Sequence, residues 1–358
     1  MTTSSPWPFE TPEPGIYFDM PFSQYCAIPC LNAGGIKNLL ASPTDFWARS
    51  WMNPLNDEID EETKAKQDGR AYHLRILEGE TKFYDHYAPD YEDDGDESML
   101  RTNKDMERFL KNCGVKGYSG KKTEELIDMC FDADKTLRIL AAEKALHQSQ
   151  HEGKELIAAH TIRQIELAAR MIEYHPHLKS FFAGGYPEVT IIWDEPDLGV
   201  RFKIRVDYLK TKAVNDLKTF ANQYKKDVDK AIDYAMAANK YHIQALLYLI
   251  GVNQAKRTLV PQGKVFGAAD PQWLEAFAKT PADEFGYVFM QKGVAPVAKG
   301  KLLSIKDEKF KALGVACIND GARRFLDHYR IYGTDAWIDM SQPSYIDFNQ
   351  LPAFVGDL

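Results

Sequence analysis

The chain has 358 residues, 44% hydrophobic and 12% aromatic, enough to bury a sizeable core as one large domain or two modest ones. A net charge of −8 disfavours a protein that coats nucleic acid with its whole surface, yet it leaves room for a local basic channel. Cys26, Cys30, Cys113, Cys130 and Cys317 are scattered with no CxxC pair, which argues against a disulfide framework or a zinc module and fits a reducing cytoplasm.

The opening MTTSSPWPFETPEP has neither the basic region nor the apolar run of a secretory signal and reads as a disordered leader over residues 1–15. No apolar run in the chain reaches membrane-spanning length. LNAGGIKNLLASP follows, with Ile36, Leu39 and Leu40 on one helical face and a stop at Ser42 and Pro43. A second helix is predicted over 61–79, acidic in its first turn and carrying Gly69 and His73. Residues 85–97 hold seven acids in thirteen positions and read as a solvated loop that would repel DNA. From 100 to 178 the apolar spacing is helical.

PEVTIIWDEPDLGVRFKIRVDYLK then predicts two strands joined by a Pro and Gly turn, with NDLKTF as a third strand. Residues 228–250 form a strong helix candidate, 286–293 a fourth strand, and DEKFKALGVACINDGARRFLDHYR a late helix. The whole reads as one α/β domain over 16–330 with a small mixed sheet flanked by helices, followed by a tail, 331–358, that packs on the domain or on a neighbouring subunit.

Asp207 alternates with Phe202, Ile204, Val206 and Tyr208, and so points away from their apolar face, sharing a side with Arg201, Lys203 and Arg205. Asp216 and Lys218 share one side of the next strand. If the strands are adjacent, the three residues converge on one pocket. Two carboxylates can anchor Mg2+, and a lysine beside them can orient or deprotonate a water, or stabilise transition-state charge. Taken alone, the pattern is also compatible with the polar face of a hairpin.

An aspartate ending one strand and an Asp-x-Lys on the next resembles the core of the PD-(D/E)XK (restriction-endonuclease-like) nuclease superfamily. Gly69 and His73 on an upstream helix, and Gln244 and Tyr248 on the helix after Asp-x-Lys, extend the resemblance to the RecB-like and RecE-like branch, the exonuclease VIII type of phage and prophage. The proline usual before the first aspartate is Val206 here. The resemblance implies a metal site of His73, Asp207 and Asp216, with Glu188 as a further candidate ligand, and catalytic roles for Asp207, Asp216, Lys218, Gln244 and Tyr248. Tyr241 becomes a candidate DNA contact, and Arg201, Lys203 and Arg205, a basic row on the Asp207 face, either track a phosphate backbone or buttress the acidic pocket.

It further implies Mg2+, replaceable by Mn2+, and no iron-sulfur cluster, since Cys317 alone lies downstream of the core. The expected activity is degradation of linear double-stranded DNA from its ends, 5′ to 3′, in recombination within the bacterial cytoplasm. A ring-like homo-oligomer and a single-strand annealing protein are the implied partners. The competing expectations are an endonuclease or structure-specific nuclease, and an inactive DNA-binding protein on the same fold.

Overall fold

The computed structural model describes residues 7–56, 63–220, 222, 227–293 and 296–339. Its strands are β1 (Gly15–Tyr17), β2 (Tyr87–Pro89), β3 (Glu155–Ile157), β4 (Tyr186–Glu195), β5 (Val200–Leu209), β6 (Ala213–Phe220), β7 (Val265–Phe266), β8 (Glu284–Gln291) and β9 (Val297–Ser304). Seven of them form one mixed sheet in the order β7-β1-β4-β5-β6-β8-β9, and β2 pairs with β3 apart from it. β4 and β5 make the expected hairpin, its turn closed by Gly199 at φ +68°. β6 then runs parallel to β8, a pairing that requires a crossover, and the intervening chain supplies it as helix.

That crossover contains the helix Tyr241–Gln254, nine of whose fourteen residues are buried. A helix apolar all round must be covered on several sides. Here the sheet covers one side, and the helices Ala33–Ala41 and Glu308–Tyr332 cover others. Gly251 permits the close approach, because a Cβ there would stand 2.6 Å from the Trp193 ring. On the opposite face Leu217, Val288 and Met290 pack with residues of the helices Lys64–His73 and Ala159–Tyr174. The Asp-x-Lys strand is therefore clamped between two helical layers.

The expected leader is ordered from Trp7 onward. Trp7 is buried, stacks on Phe325 and donates its indole N–H to Pro29 O at 2.7 Å, while β1 adds to the sheet. Two aromatics, Trp7 and Phe9, outweigh the Pro, Ser and Thr around them; residues 1–6 lie outside the described residues. In the tail, Trp337 packs its ring against Phe46 and Phe325, and residues 340–358 lie outside the described residues. The second helix is described from Lys64, with residues 61 and 62 outside, and it changes to a π-helical turn at Leu74–Glu78.

The acidic stretch is exposed but not simply solvated. Its first residues belong to the helix Glu80–His86 and to β2, and its carboxylates pair with arginines: Glu92 with Arg163, Asp93 with Arg101, Asp94 and Asp96 with Arg138. Alternation does not reveal β1, β7 and the β2–β3 pair, each only two or three residues long, or β9, whose edge sequence VAKGKLLS is rich in lysine. Among the described residues no helix is long and apolar enough to cross a membrane.

Candidate active site

The site begins as a break in the sheet. β5 and β6 pair at Leu209↔Val214 and Tyr208↔Asn215, and the next pair in that register would be Asp207 with Asp216. The ladder stops there. Instead, Asp207 Oδ2 accepts a hydrogen bond from Leu217 N at 2.8 Å, a side chain taking the place of a strand partner. The two carboxylates thus flank a gap where the strands part.

Asp216 is fully buried, and its two oxygens have different surroundings. Oδ1 accepts from Gln244 Nε2 at 2.6 Å. Oδ2 lies 2.7 Å from Lys218 Nζ, an ion-pair contact whose direction leaves that oxygen without a hydrogen bond. Burial pulls the Lys218 ammonium down, but Asp216 and Asp207 outweigh it and hold the group above its ordinary value, so Lys218 is a cation here.

Across the gap, His73, Glu188 and Asp207 each offer a ligand atom, and the three atoms lie within 4.8 Å of one another. His73 Nδ1 is 3.6 Å from Asp207 Oδ2. Glu188 stands opposite Asp207 across the hairpin, bracketed by the pairs Pro187↔Tyr208 and Val189↔Val206. It sits at φ +54°, a left-handed conformation that costs a non-glycine residue about 1–2 kcal/mol. Arg205 Nε holds its carboxylate at 2.5 Å. Backbone strain of this kind concentrates at functional sites, and the π-helical turn beginning directly after His73 is a second such irregularity.

Burial and like charge disfavour the ionised forms of these donors. Burial, then the negative charge of Asp216, push the Asp207 carboxyl well up; burial, then Asp207, raise Glu188, and burial lowers the His73 imidazole. A divalent ion would favour deprotonated carboxylates and neutral imidazole together. The donor set of hard oxygens and one imidazole, with the unbonded Asp216 Oδ2 nearby, fits such an ion.

A family model described as a PDDEXK-like domain of unknown function (DUF3799) matches residues 35–266, about two thirds of the chain. The chain belongs to this PDDEXK-like family. One similar solved structure, a "Putative exonuclease" from Eubacterium rectale, is 13% identical, with a TM-score of 0.45 over 86% of this chain and 85% of that one. No curated protein matches the sequence.

The matched PDDEXK-like stretch contains His73, Glu188, Asp207, Asp216, Lys218, Gln244 and Tyr248. All of these except Asp216, which is sealed behind Lys218 and Gln244, line one cleft of about 540 Å3. Tyr248 is nearly buried, one turn beyond Gln244. Tyr241 lies beneath Lys218, whose Nζ is 5.3 Å from the ring centroid.

Of the two roles open to the β5 basic residues, their hydrogen bonds match buttressing rather than a phosphate track. Arg201 is buried in a bidentate pair with Asp194 and donates to Thr11 Oγ1. Lys203, 4% exposed, donates to the carbonyls of Tyr25, Cys26 and Ile28. Arg205 reaches the cleft, but its hydrogen bonds go to Glu188, Met20 O and Thr190 Oγ1. Alternation assigns their face correctly, but Thr11 and the short helix Phe22–Ala27 with its flanking residues cover that face.

Sequence reasoning passed over Lys37, whose Nζ is 5.2 Å from the Tyr241 ring centroid. Burial, then the charge of Lys218, bring its pKa down to about 8. Helical spacing marks Ile36 and Leu39 as buried but carries no signal that the intervening lysine leans over a tyrosine on another helix.

Proposed function

We propose that this PDDEXK-like protein is a divalent-metal-dependent deoxyribonuclease that degrades linear double-stranded DNA from its ends. The observation that carries this reading is the parting of β5 and β6 at Asp207 and Asp216, with Lys218 and the His73–Glu188–Asp207 donor group on the resulting cleft. His73, Glu188 and Asp207 would hold the ion, while Asp216, expected among the ligands, lies behind them with Oδ2 against the Lys218 ammonium. A bound Mg2+ or Mn2+ supplies Lewis-acid polarisation of the phosphate and a more acidic water.

The chain's own residues do the rest. Gln244 fixes Asp216, and Asp216 fixes the Lys218 ammonium at the cleft. From there Lys218 orients the attacking water or offsets the charge that builds on the phosphate oxygens. Arg205 keeps Glu188 in its left-handed pose, and the Leu217 N–H holds Asp207. The exonuclease mode, 5′ to 3′ polarity and a role in recombination follow from the RecE-like resemblance of these motifs.

Digestion of end-labelled linear duplex with Mg2+, beside a covalently closed circle of the same sequence, tests this reading. Linear DNA is expected to be consumed and the circle spared, with EDTA abolishing the reaction. Asp216→Ala and Lys218→Ala should each slow digestion on the order of 10³-fold while the far-UV spectrum is kept. Cutting of the circle would favour an endonuclease. Binding of DNA with no cleavage in Mg2+ or Mn2+ would make the protein a DNA-binding relative without catalysis.

A further inference from the structure

One wall of the cleft is aromatic. Phe22 and Tyr25, three residues apart on the short helix Phe22–Ala27, line it beside Glu188, Arg205 and Asp207. Their ring planes lie 30° apart with centroids at 6.4 Å, and Phe22 is 55% exposed.

The helix is pinned at both ends. Lys203 Nζ donates to Tyr25 O, Cys26 O and Ile28 O at 2.8, 3.2 and 2.6 Å, and it also lies 4.7 Å from the Tyr25 ring centroid. Before the helix, Arg205 Nη1 donates to Met20 O at 2.8 Å, and the guanidinium carbon is 5.8 and 6.0 Å from the Phe22 and Tyr25 centroids. The same arginine grips Glu188, so a single side chain spans from the metal-donor group to the rings. Buried Lys203 and half-buried Arg205 therefore hold a half-buried and an exposed ring, Tyr25 and Phe22, in place on the cleft wall.

We propose that Phe22 and Tyr25 form a nucleobase-stacking subsite, which takes the base of a nucleotide flanking the phosphate at the His73–Glu188–Asp207 group. The inference rests on the nuclease reading and deepens it. Every base presents a π face, so such a platform accepts any sequence, as an enzyme digesting DNA from an end requires. Arg205 behind the rings adds cation–π support that keeps them seated. A platform one side chain away from the metal donors positions the strand by its base, and the carboxylate site handles its phosphate.

The test titrates the full-length protein into oligonucleotides carrying one 2-aminopurine at successive positions from the end. Ca2+ replaces Mg2+, and the DNA is verified intact afterwards. One position should change fluorescence on binding wild type and lose that change with Phe22→Ala, which should also bind roughly 5- to 50-fold more weakly. Phe22→Trp should restore binding, whereas Phe22→Leu, apolar without a π face, should behave like Phe22→Ala. Thermal unfolding of all three variants should match wild type.

Identical responses at every position in wild type and Phe22→Ala, or Phe22→Leu binding like wild type, would overturn the subsite. Digestion of the same DNA by wild type in Mg2+ is read separately. Intact digestion without position-specific stacking sinks the subsite alone, and stacking without digestion sinks the nuclease reading alone.

Discussion

Arg205 of β5 and the lysines at Tyr241 lie close to the same carboxylates, while Arg201 and Lys203 sit farther along the strand, and the two sets are differently employed. Arg201, Lys203 and Arg205 give their hydrogen bonds to Asp194, Thr11, Glu188, Thr190 and backbone carbonyls. Lys37 has no carboxylate within ion-pair distance among the described residues, and its nearby charges include another lysine, Lys218. Lys218 pairs with Asp216 and, among the described residues, with no other carboxylate within ion-pair distance, and it faces the cleft. A charge next to an acidic pocket is a phosphate contact only if its hydrogen-bonding capacity is unspent, and by that criterion the lysines at Tyr241 qualify and the β5 row does not.

Substitutions can break this contrast. The largest effect is expected for Lys203→Ala, which strips the donor from three carbonyls in a nearly sealed pocket. It should cost about 3 kcal/mol of stability, and thermal unfolding should show a melting temperature lower by about 4 °C. A variant that melted normally but bound DNA poorly would place Lys203 with the phosphate contacts after all. Next comes Lys37→Ala, expected to leave melting unchanged, to weaken DNA binding roughly tenfold and to reduce the log–log salt slope by about 1. Fluorescence anisotropy at three salt concentrations measures this, and an unchanged slope would remove Lys37 from the DNA path. The smallest effect should come from Asp93→Asn, which loosens an exposed pair with Arg101 and should leave the digestion rate and salt slope as they were.

Much of the site was legible because strand alternation is strict and short-range. It placed Asp216 and Lys218 on one side of β6 and made β4 and β5 a hairpin, and the structure contains both. The spacing of Gln244 and Tyr248 likewise put two polar groups on one helical face, and both line the cleft. Alternation says which way a side chain points but not what lies over it. The burial of Arg201 and Lys203 depends on Thr11, Tyr25, Cys26 and Ile28, nearly two hundred residues away, where proline-rich composition disguised a packed segment. Lys37 and the strained backbone of Glu188 are likewise products of tertiary contact, with no local period to announce them.

The three residues of β1 have a consequence for how the molecule can be handled. β1 lies between β7 and β4, and among the described residues β7 pairs with no other strand. A chain trimmed past Tyr17 would lose more than a few N-terminal residues. It would cast β7 loose and uncover the apolar stretch Thr190–Ile192 of β4 as an unprotected edge, a surface prone to recruit strands from other molecules. Clumping of such a shortened protein would then reflect a missing sheet seam, even with every cleft residue still in place.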